Sequence, residues 1–238
     1  MSVPRAVVCL PTYNERENLE RMVRALADQD VHVLVIDDNS PDGTGEIADR
    51  LAGELPWVEV LHRPSKEGLG RAYVDGFRHV LAGDAELVLE MDCDFSHDPA
   101  DVPRLIAAVE DGADLALGSR YVEGGGTADW GLARRLISRG ASVYTRVLLM
   151  PIHDSTGGFK CFRRRVLESI ELDSIDAAGY VFQIETTYRT LRKGFRVVEV
   201  PIRFADRTEG KSKMSRAIVL EAVWKVPALR LAALAGRL

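Results

Sequence analysis

The sequence predicts an α/β fold with a mainly parallel sheet covered by helices on both faces, and three observations predict it. Short apolar runs alternate with segments of helical periodicity through the first half of the chain, the tempo of repeated strand–helix–strand units. Three of those runs end in polar or acidic loops, Tyr13-Asn14-Glu15, Asp37-Asp38 and Asp92-Cys93-Asp94. Parallel strands share a carboxyl edge, so these loops converge on one rim, where open α/β sheets bind ligands. With 238 residues, 46% hydrophobic and 28% charged, the chain is also long enough to bury a sizeable core.

Residues 5–10 read as the first strand, with Pro11-Thr12-Tyr13-Asn14-Glu15 as its carboxyl-end loop. Asn14 is expected to cap a helix that turns Leu19, Met22, Val23 and Leu26 inward. Val33-Leu34-Val35-Ile36 is a second strand, and Pro41-Asp42-Gly43-Thr44 turns into a helix carrying Ile47, Ala48 and Leu51. Residues 58–61 make a third strand, after which Gly68-Leu69-Gly70 opens a helix through Val74, Phe77 and Val80. Leu87-Val88-Leu89 is the fourth strand; Leu105, Ile106 and Val109 mark the helix behind it. Leu115-Ala116-Leu117 leads a fifth strand into Gly118-Ser119-Arg120-Tyr121.

The second half reads differently. Gly124-Gly125-Gly126 is a flexible loop, and residues 130–150 a helix. At about 100° per residue, Leu136, Gly140, Val143, Tyr144 and Val147 share an apolar face bordered by Arg135, Arg139 and Arg146, with Arg134 further round. Such a helix is either a solvated surface helix or one that lies on an anionic membrane or grips a phosphate. Asp154-Ser155-Thr156-Gly157-Gly158-Phe159-Lys160 is a tight turn into a strand, residues 180–193 a helix, and residues 196–201 a strand. Residues 203–216 form a cationic loop with Arg203, Arg207, Lys211, Lys213 and Arg216. The final helix, 214–238, is apolar with Lys225, Arg230 and Arg237 against Glu221.

Composition excludes several classes. A net charge of −5 argues against a general nucleic-acid binder. Cys9, Cys93 and Cys161 are odd in number and lack metal-site spacing, so they are expected as reduced core residues of a cytosolic protein. The N-terminus runs directly into a strand, so no signal peptide is expected. No uncharged apolar run reaches the roughly 18 residues a spanning helix needs; the best stretch, 217–235, is broken by Glu221, Lys225, Pro227 and Arg230.

The chemistry is expected at Glu90-Met91-Asp92-Cys93-Asp94-Phe95-Ser96-His97-Asp98-Pro99. An apolar strand stops at two carboxylates spaced i, i+2, and Asp98-Pro99 supplies a cap and a first-turn proline that hold the loop short. Carboxylates this close repel unless a cation lies between them, and the donors are oxygens, which suits Mg²⁺ or Mn²⁺ bridging to a diphosphate. A lone D-x-D also reads as loop and capping residues. Tyr13 is placed to stack beside a base or to pack on a helix, and Asp38 to accept from a base or ribose or to cap a turn.

Seven ordered segments then resemble the inverting family 2 glycosyltransferases of the GT-A fold, more narrowly the polyprenyl-phosphate (dolichyl-phosphate) mannose synthases. They are Leu10-Pro11-Thr12-Tyr13-Asn14-Glu15-Arg16-Glu17-Asn18, Asp37-Asp38-Asn39-Ser40-Pro41-Asp42-Gly43-Thr44 and Met91-Asp92-Cys93-Asp94-Phe95-Ser96-His97, then Gly118-Ser119-Arg120-Tyr121, Leu136-Ile137-Ser138-Arg139-Gly140-Ala141, Gly179-Tyr180-Val181-Phe182-Gln183 and Arg207-Thr208-Glu209-Gly210-Lys211-Ser212-Lys213. The resemblance covers nearly the whole chain. It implies a catalytic domain over 1–213, with a nucleotide-sugar half (1–121) and an acceptor half (122–213); the amphipathic helix over 214–238 is a candidate membrane contact. It implies that Pro11, Tyr13, Glu15, Ile36 and Asp38 line the guanosine pocket of GDP-mannose, with Cys93 beside them. Asp92 and Asp94 would hold Mg²⁺ or Mn²⁺ on the diphosphate, with Ser96 nearby. Arg120, Arg134 and Ser138 would receive the acceptor phosphate, while Arg207 and Lys213 close over the donor.

The implied reaction moves mannose, with inversion, from GDP-mannose to a polyprenyl monophosphate. A phosphate monoester with a second pKa of about 6 is mostly dianionic at neutral pH and needs no general base. Asp94, Arg120, Arg134 and Asp154 are therefore the expected catalytic group, Asp154 either orienting Arg120 or the nucleophile or capping its turn. The implied partners are the two substrates and the cytosolic face of a membrane, approached peripherally; some members of the family use a membrane-anchoring partner protein. Open alternatives are a UDP-glucose-dependent polyprenyl-phosphate transferase, a family 2 enzyme with a soluble acceptor, a receiver domain suggested by Val35-Ile36-Asp37-Asp38, and a catalytically silent nucleotide-sugar binder.

Overall fold

β-Branched and leucine-rich runs build a seven-stranded sheet in the computed structural model, which describes residues 5–128, 130–175, 179–205 and 216–236. The strands are β1 (Ala6–Thr12), β2 (His32–Asp37), β3 (Val58–His62), β4 (Leu87–Glu90), β5 (Leu115–Ser119), β7 (Lys160–Arg163) and β8 (Val197–Pro201). Their spatial order is β3-β2-β1-β4-β7-β5-β8. Every pairing is parallel except those of β7, which runs antiparallel between β4 and β5. Two short strands, β6 (Gly126–Thr127) and β9 (Arg203–Phe204), pair separately.

The helices are α1 (Leu19–Leu26), α2 (Thr44–Glu54), α3 (Leu69–Leu81), α4 (Val102–Glu110), α5 (Leu132–Leu148), α6 (Arg164–Ser169), α7 (Gly179–Arg192) and α8 (Arg216–Leu234). One core layer packs α1, α2 and α4 on the sheet through Leu19, Met22, Leu26, Leu51 and Leu105. The opposite layer packs α3, α6 and α7 through Phe77, Val166 and Phe182. Gly76 of α3 lies where a Cβ would come within 2.3 Å of Ile36 Cδ1, so its absence lets the helix sit close on β2. All three cysteines are free and buried, as expected.

Two expectations are corrected. Asn14 does not cap α1: it takes a left-handed φ of 58° and its N–H donates to Ser40 Oγ (3.1 Å), while the helix begins after Asn18. The α5 helix is shorter than 130–150; its apolar stripe faces outward, as a surface or membrane-lying helix would carry it. Leu132, Leu136, Val143 and Val147 are 59–78% exposed, whereas the face turned to the protein carries the buried Ser142 and Thr145. Thr145 Oγ1 and Ser155 Oγ share a hydrogen bond of 2.6 Å there. α8 packs on this region through Val226, Leu229 and Ala233, and Tyr144 of α5 donates to Val223 O (2.9 Å). No described helix is long and apolar enough to cross a membrane.

Candidate active site

The carboxyl ends of β1, β2 and β4 lie side by side because strand order reverses between β1 and β4, the position where open α/β sheets form a ligand crevice. Backbone bonds stitch the rim together: Asp38 N–H donates to Thr12 O (3.0 Å), Arg63 N–H to Asp37 O (2.9 Å) and Met91 N–H to Cys9 O (3.3 Å).

On the β2 loop the two adjacent aspartates divide. Asp37 is an internal brace, accepting from Thr12 Oγ1 (3.2 Å), Ser40 Oγ (2.6 Å) and Ser40 N (3.1 Å). Asp38 is the partner of the buried Arg63 guanidinium, and burial pushes its carboxyl up against the pull of that cation. Tyr13 stands half-buried on the β1 loop with Lys66 Nζ 3.7 Å from its ring centroid. Glu15 accepts from Asn18 Nδ2 (2.9 Å) and its own N–H donates to Thr44 Oγ1 (3.0 Å). Pro11 is partly exposed at the end of β1. Ile36 and Cys93 differ, since both side chains lie in the core beneath the rim.

The β4 loop holds Asp92 and Asp94 on a tight bend. Phe95 takes φ 58°, Ser96 N–H donates to Asp94 Oδ1 (3.0 Å), and Asp98 caps the following 3-10 turn by accepting from Ala100 N (2.9 Å). Ser96 Oγ is buried without a hydrogen-bond partner among the described residues, a costly arrangement unless something fills it. The donors this loop offers, two carboxylates and a hydroxyl, are all oxygens, the chemistry that Mg²⁺ or Mn²⁺ takes. No group of three or more His, Cys, Asp or Glu suited to metal occurs among the described residues. A cation here would be of the kind held by one or two carboxylates together with ligand phosphates.

Beneath this loop lies a buried ion pair absent from the sequence reading. Glu90 and Lys160 are both fully buried, with Nζ and Oε2 3.8 Å apart. Lys160 also donates to Gln183 O (3.0 Å) and Thr186 Oγ1 (2.9 Å). Burial raises the Glu90 carboxyl and lowers the Lys160 ammonium.

The expected acceptor residues gather across the rim. Arg120 is buried and clamped by Asp154: its Nε and Nη2 donate to the two carboxylate oxygens (2.7 and 2.6 Å), and its backbone N–H donates as well (2.9 Å). Thr156 Oγ1 accepts from Nη2 (2.9 Å). Of the roles left open for Asp154, the one it fills here is orienting Arg120. The guanidinium sits 5.2–5.4 Å from the ring centroids of Tyr121, Trp130 and Phe204. Arg134 lies over Trp130 as well, at 4.1 Å, and Ser138 Oγ accepts from Tyr121 Oη (2.6 Å). His97 links the halves, stacking on Phe159 (4.9 Å) and meeting the edge of Phe204 (5.2 Å). Arg207 and Lys213 lie outside the described residues.

Residues 7–171 match the pattern of Glycosyl transferase family 2. The chain belongs to that family. It is 50% identical over 226 residues to the polyprenol monophosphomannose synthase of Mycolicibacterium smegmatis, covering 93% of this chain and 85% of that one. It is 47% identical over 232 residues to the undecaprenyl-phosphate mannosyltransferase of Micrococcus luteus, covering 96% and 95%. Among solved structures, glucosyl-3-phosphoglycerate synthase from Mycobacterium tuberculosis with UDP superposes with a TM-score of 0.70 at 19% identity, over 95% of this chain and 80% of that one. The mannosyltransferase PcManGT from Pyrobaculum calidifontis, in complex with GDP-Man and Mn²⁺, gives 0.60 at 17% identity, over 99% and 75%. These likenesses establish the GT-A fold of the family 2 glycosyltransferase.

Proposed function

We propose that this glycosyltransferase transfers mannose from GDP-mannose to the phosphate of a polyprenyl monophosphate, releasing GDP. The observation that carries the reading is the cationic cluster in which Arg120 and Arg134 share the Trp130 ring, connected to the acidic loop through His97 and Phe204. Both relatives named above act in their own names on polyprenyl-type acceptors.

The nucleoside is assigned to Tyr13, Glu15, Asp38 and Pro11, and a Mg²⁺ or Mn²⁺ ion to Asp92 and Asp94 with the Ser96 hydroxyl. When bound, that ion would neutralise charge on the donor diphosphate. On the acceptor side the nucleophile is already ionised, so this chain's residues need only orient it. Arginine's planar fork suits a phosphate. Arg134, the more open of the two, is the first contact. Arg120 stands behind with its charge compensated by Asp154, which fixes the direction of the guanidinium. Ser138, held by Tyr121, adds a neutral hydroxyl to the phosphate. Arg207 and Lys213 are assigned to the donor diphosphate.

A long isoprenoid remains in the bilayer, since each buried methylene is worth about 0.8 kcal/mol, so the chain must come to the membrane surface. The outward stripe of Leu132, Leu136, Val143 and Val147 continues in Trp224, Leu231 and Leu234 of α8, 66–77% exposed. Bordered by Arg135, Arg139 and Arg146, it suits a peripheral docking face on anionic lipid; a membrane-anchoring partner protein is not required by this reading.

The test is transfer of labelled sugar from GDP-mannose and from UDP-glucose, each offered to polyprenyl phosphate and to dephosphorylated polyprenol. Mannosyl transfer restricted to the phosphorylated lipid is expected. Equal transfer to the free alcohol would overturn the assignment of Arg120 and Arg134.

A further inference from the structure

Val197-Val198-Glu199-Val200 sets a single carboxylate in an otherwise apolar strand, outside the seven segments that carry the family resemblance. Side chains alternate along β8. Val198 and Val200 face the layer of α1, α2 and α4, and Glu199 falls on the other face, in register with Leu117 of β5. With only 9% of its side chain exposed, a carboxylate there needs donors. It finds four. Oε1 accepts from Ser119 Oγ (2.7 Å) and Asp154 N–H (2.9 Å), and Oε2 accepts from His153 N–H (2.9 Å) and His153 Nδ1 (2.8 Å). An ionised carboxylate offers about four lone-pair sites, so Glu199 spends its hydrogen-bonding capacity inside the protein.

The identity of those donors gives the carboxylate a purpose. Ser119 immediately precedes Arg120, and Asp154 is the residue that clamps the Arg120 guanidinium and backbone N–H. Residues 151–154 form neither helix nor strand, and the peptide N–H groups of His153 and Asp154 are satisfied by this one side chain. Glu199 therefore grips both the end of β5 from which Arg120 extends and the turn from which Asp154 reaches back to it. The chain of contacts closes on itself: Glu199 to Asp154, Asp154 to Arg120, and Ser119 back to Glu199. A clamp of three bonds to one carboxylate needs both of its backbones fixed, because a misplacement of about 1 Å at a reacting group can cost on the order of a hundredfold.

We propose that Glu199 is a positioning residue for transfer, acting through Ser119 and the Asp154 turn to aim the Arg120 guanidinium while touching neither substrate. The proposal rests on the reading of Arg120 as a receiver of the acceptor phosphate. It separates two kinds of carboxylate around that cation: Asp154 compensates and directs the charge, and Glu199 sets where Asp154 stands.

The test is a double-mutant cycle on the full chain with Glu199→Gln, Asp154→Asn and the two combined. It reads KM and kcat for polyprenyl phosphate below every melting transition, together with the calorimetric Kd for GDP with Mn²⁺. Glutamine keeps the length of the side chain, but whichever oxygen it replaces, its amide turns a donor toward a peptide N–H of residue 153 or 154. Glu199→Gln is expected to raise the acceptor KM about tenfold, the scale of one lost hydrogen bond to a charged group. The Kd for GDP should stay within about twofold of the parent, and the same replacement should change KM by less than about threefold once Asp154→Asn has removed the clamp it acts through. An unchanged acceptor KM would overturn the proposal. So would effects that multiply in full, or a matching loss of GDP affinity, since either would make Glu199 a general brace of the fold. If Glu199→Gln does not fold, Ser119→Ala enters the cycle in its place, removing one donor and keeping both peptide N–H bonds. Its KM rise, about threefold or more on the scale of one hydroxyl donor, must then vanish in the Asp154→Asn background, and persistence there refutes the proposal equally. A parent chain that transfers no sugar to polyprenyl phosphate refutes the acceptor-site reading and this inference with it. A parent that transfers, beside a Glu199→Gln protein with the same KM, refutes this inference alone.

Discussion

Replacing Asp154 with Asn isolates the contact on which the acceptor side is built. In the parent chain Arg120 directs three hydrogen bonds of 2.6–2.9 Å at that one carboxylate, and both side chains are almost inaccessible, at 6% and 0%. Asparagine keeps the shape but loses the charge and turns an amide N–H₂ toward a guanidinium that can only donate. Breaking a buried pair by neutralising one partner costs about 3–5 kcal/mol. For a domain of this size each kcal/mol lowers the melting temperature by about 2–4 °C, so Asp154→Asn should melt roughly 6–20 °C lower. Below that transition, the variant should show a raised KM for polyprenyl phosphate and an unchanged Kd for GDP with Mn²⁺. The double replacement Arg120→Met with Asp154→Leu removes both charges and should recover much of the lost stability without recovering transfer. An Asp154→Asn protein that melts within about 2 °C of the parent would refute the argument, since the clamp would then carry no net energy. Equal loss of GDP affinity would refute its placement on the acceptor side.

Three other outcomes follow from the same geometry. Asp94→Ala should abolish the stabilisation that GDP gains from Mn²⁺ in a thermal-shift assay, with little change in melting when both are omitted; preserved Mn²⁺ dependence would remove Asp94 from the ion's donors. Lys160→Met strands Glu90 without its counter-charge, and the deficit should grow with pH. Burial already raises Glu90 from 4.5 to about 7, so the folded chain keeps a proton that the unfolded chain releases and stability falls as pH climbs between those values. Without Lys160 that window extends upward, so denaturant melts should find a larger deficit at pH 8 than at pH 5; equal deficits would point to lost packing instead. Arg135→Glu with Arg139→Glu should weaken sedimentation with anionic vesicles by at least about thirtyfold, taking on the order of 1 kcal/mol for each basic residue at the surface; unchanged sedimentation would move the membrane face elsewhere.

The first half of the fold was legible because its strands are buried on both faces and its helices on one, so each element carries a periodicity that survives in one sequence. The acidic rim was legible for the same reason: once the strands are parallel, residues at their carboxyl ends must meet. Strand order carries no such signal. Nothing in Lys160-Cys161-Phe162-Arg163 announces that β7 inserts antiparallel between β4 and β5, and that insertion is what buries Lys160 beside Glu90. Asn14 misled because a short polar residue before an apolar helix is an ordinary cap, but the same residue type also tolerates the left-handed conformation. The chain uses Asn14 for that bend and starts the helix four residues later, after Asn18.

The α5 helix marks a deeper limit, and it bears on how the chain would meet the proposed lipid acceptor. Periodicity states which side chains share a face; it does not state which face the protein keeps. In a soluble domain the apolar face goes inward by default, yet α5 turns Ser142 and Thr145 inward and leaves Leu132, Leu136, Val143 and Val147 outside. Small hydroxylated residues permit close packing, and Thr145 and Ser155 satisfy one another, while Ser142 Oγ is buried with no hydrogen-bond partner among the described residues. The outer face costs water an exposed apolar stripe, and that cost is recovered only where the stripe leaves water. The same helix also begins beside Trp130 and carries Arg134, which lies over that ring, so the end that holds the acceptor-side cation and the stripe that needs an apolar partner are one rigid element. A lipid phosphate at Arg134 and an isoprenoid tail in the bilayer would then be positioned by a single helix. Shortening that helix's apolar stripe, for example by Val143→Ser with Val147→Ser, should raise the KM for long-chain polyprenyl phosphate on vesicles while leaving the KM for a short, water-soluble isoprenyl phosphate unchanged. A proportional rise for both acceptors would separate the stripe from lipid access and leave it a feature of stability alone.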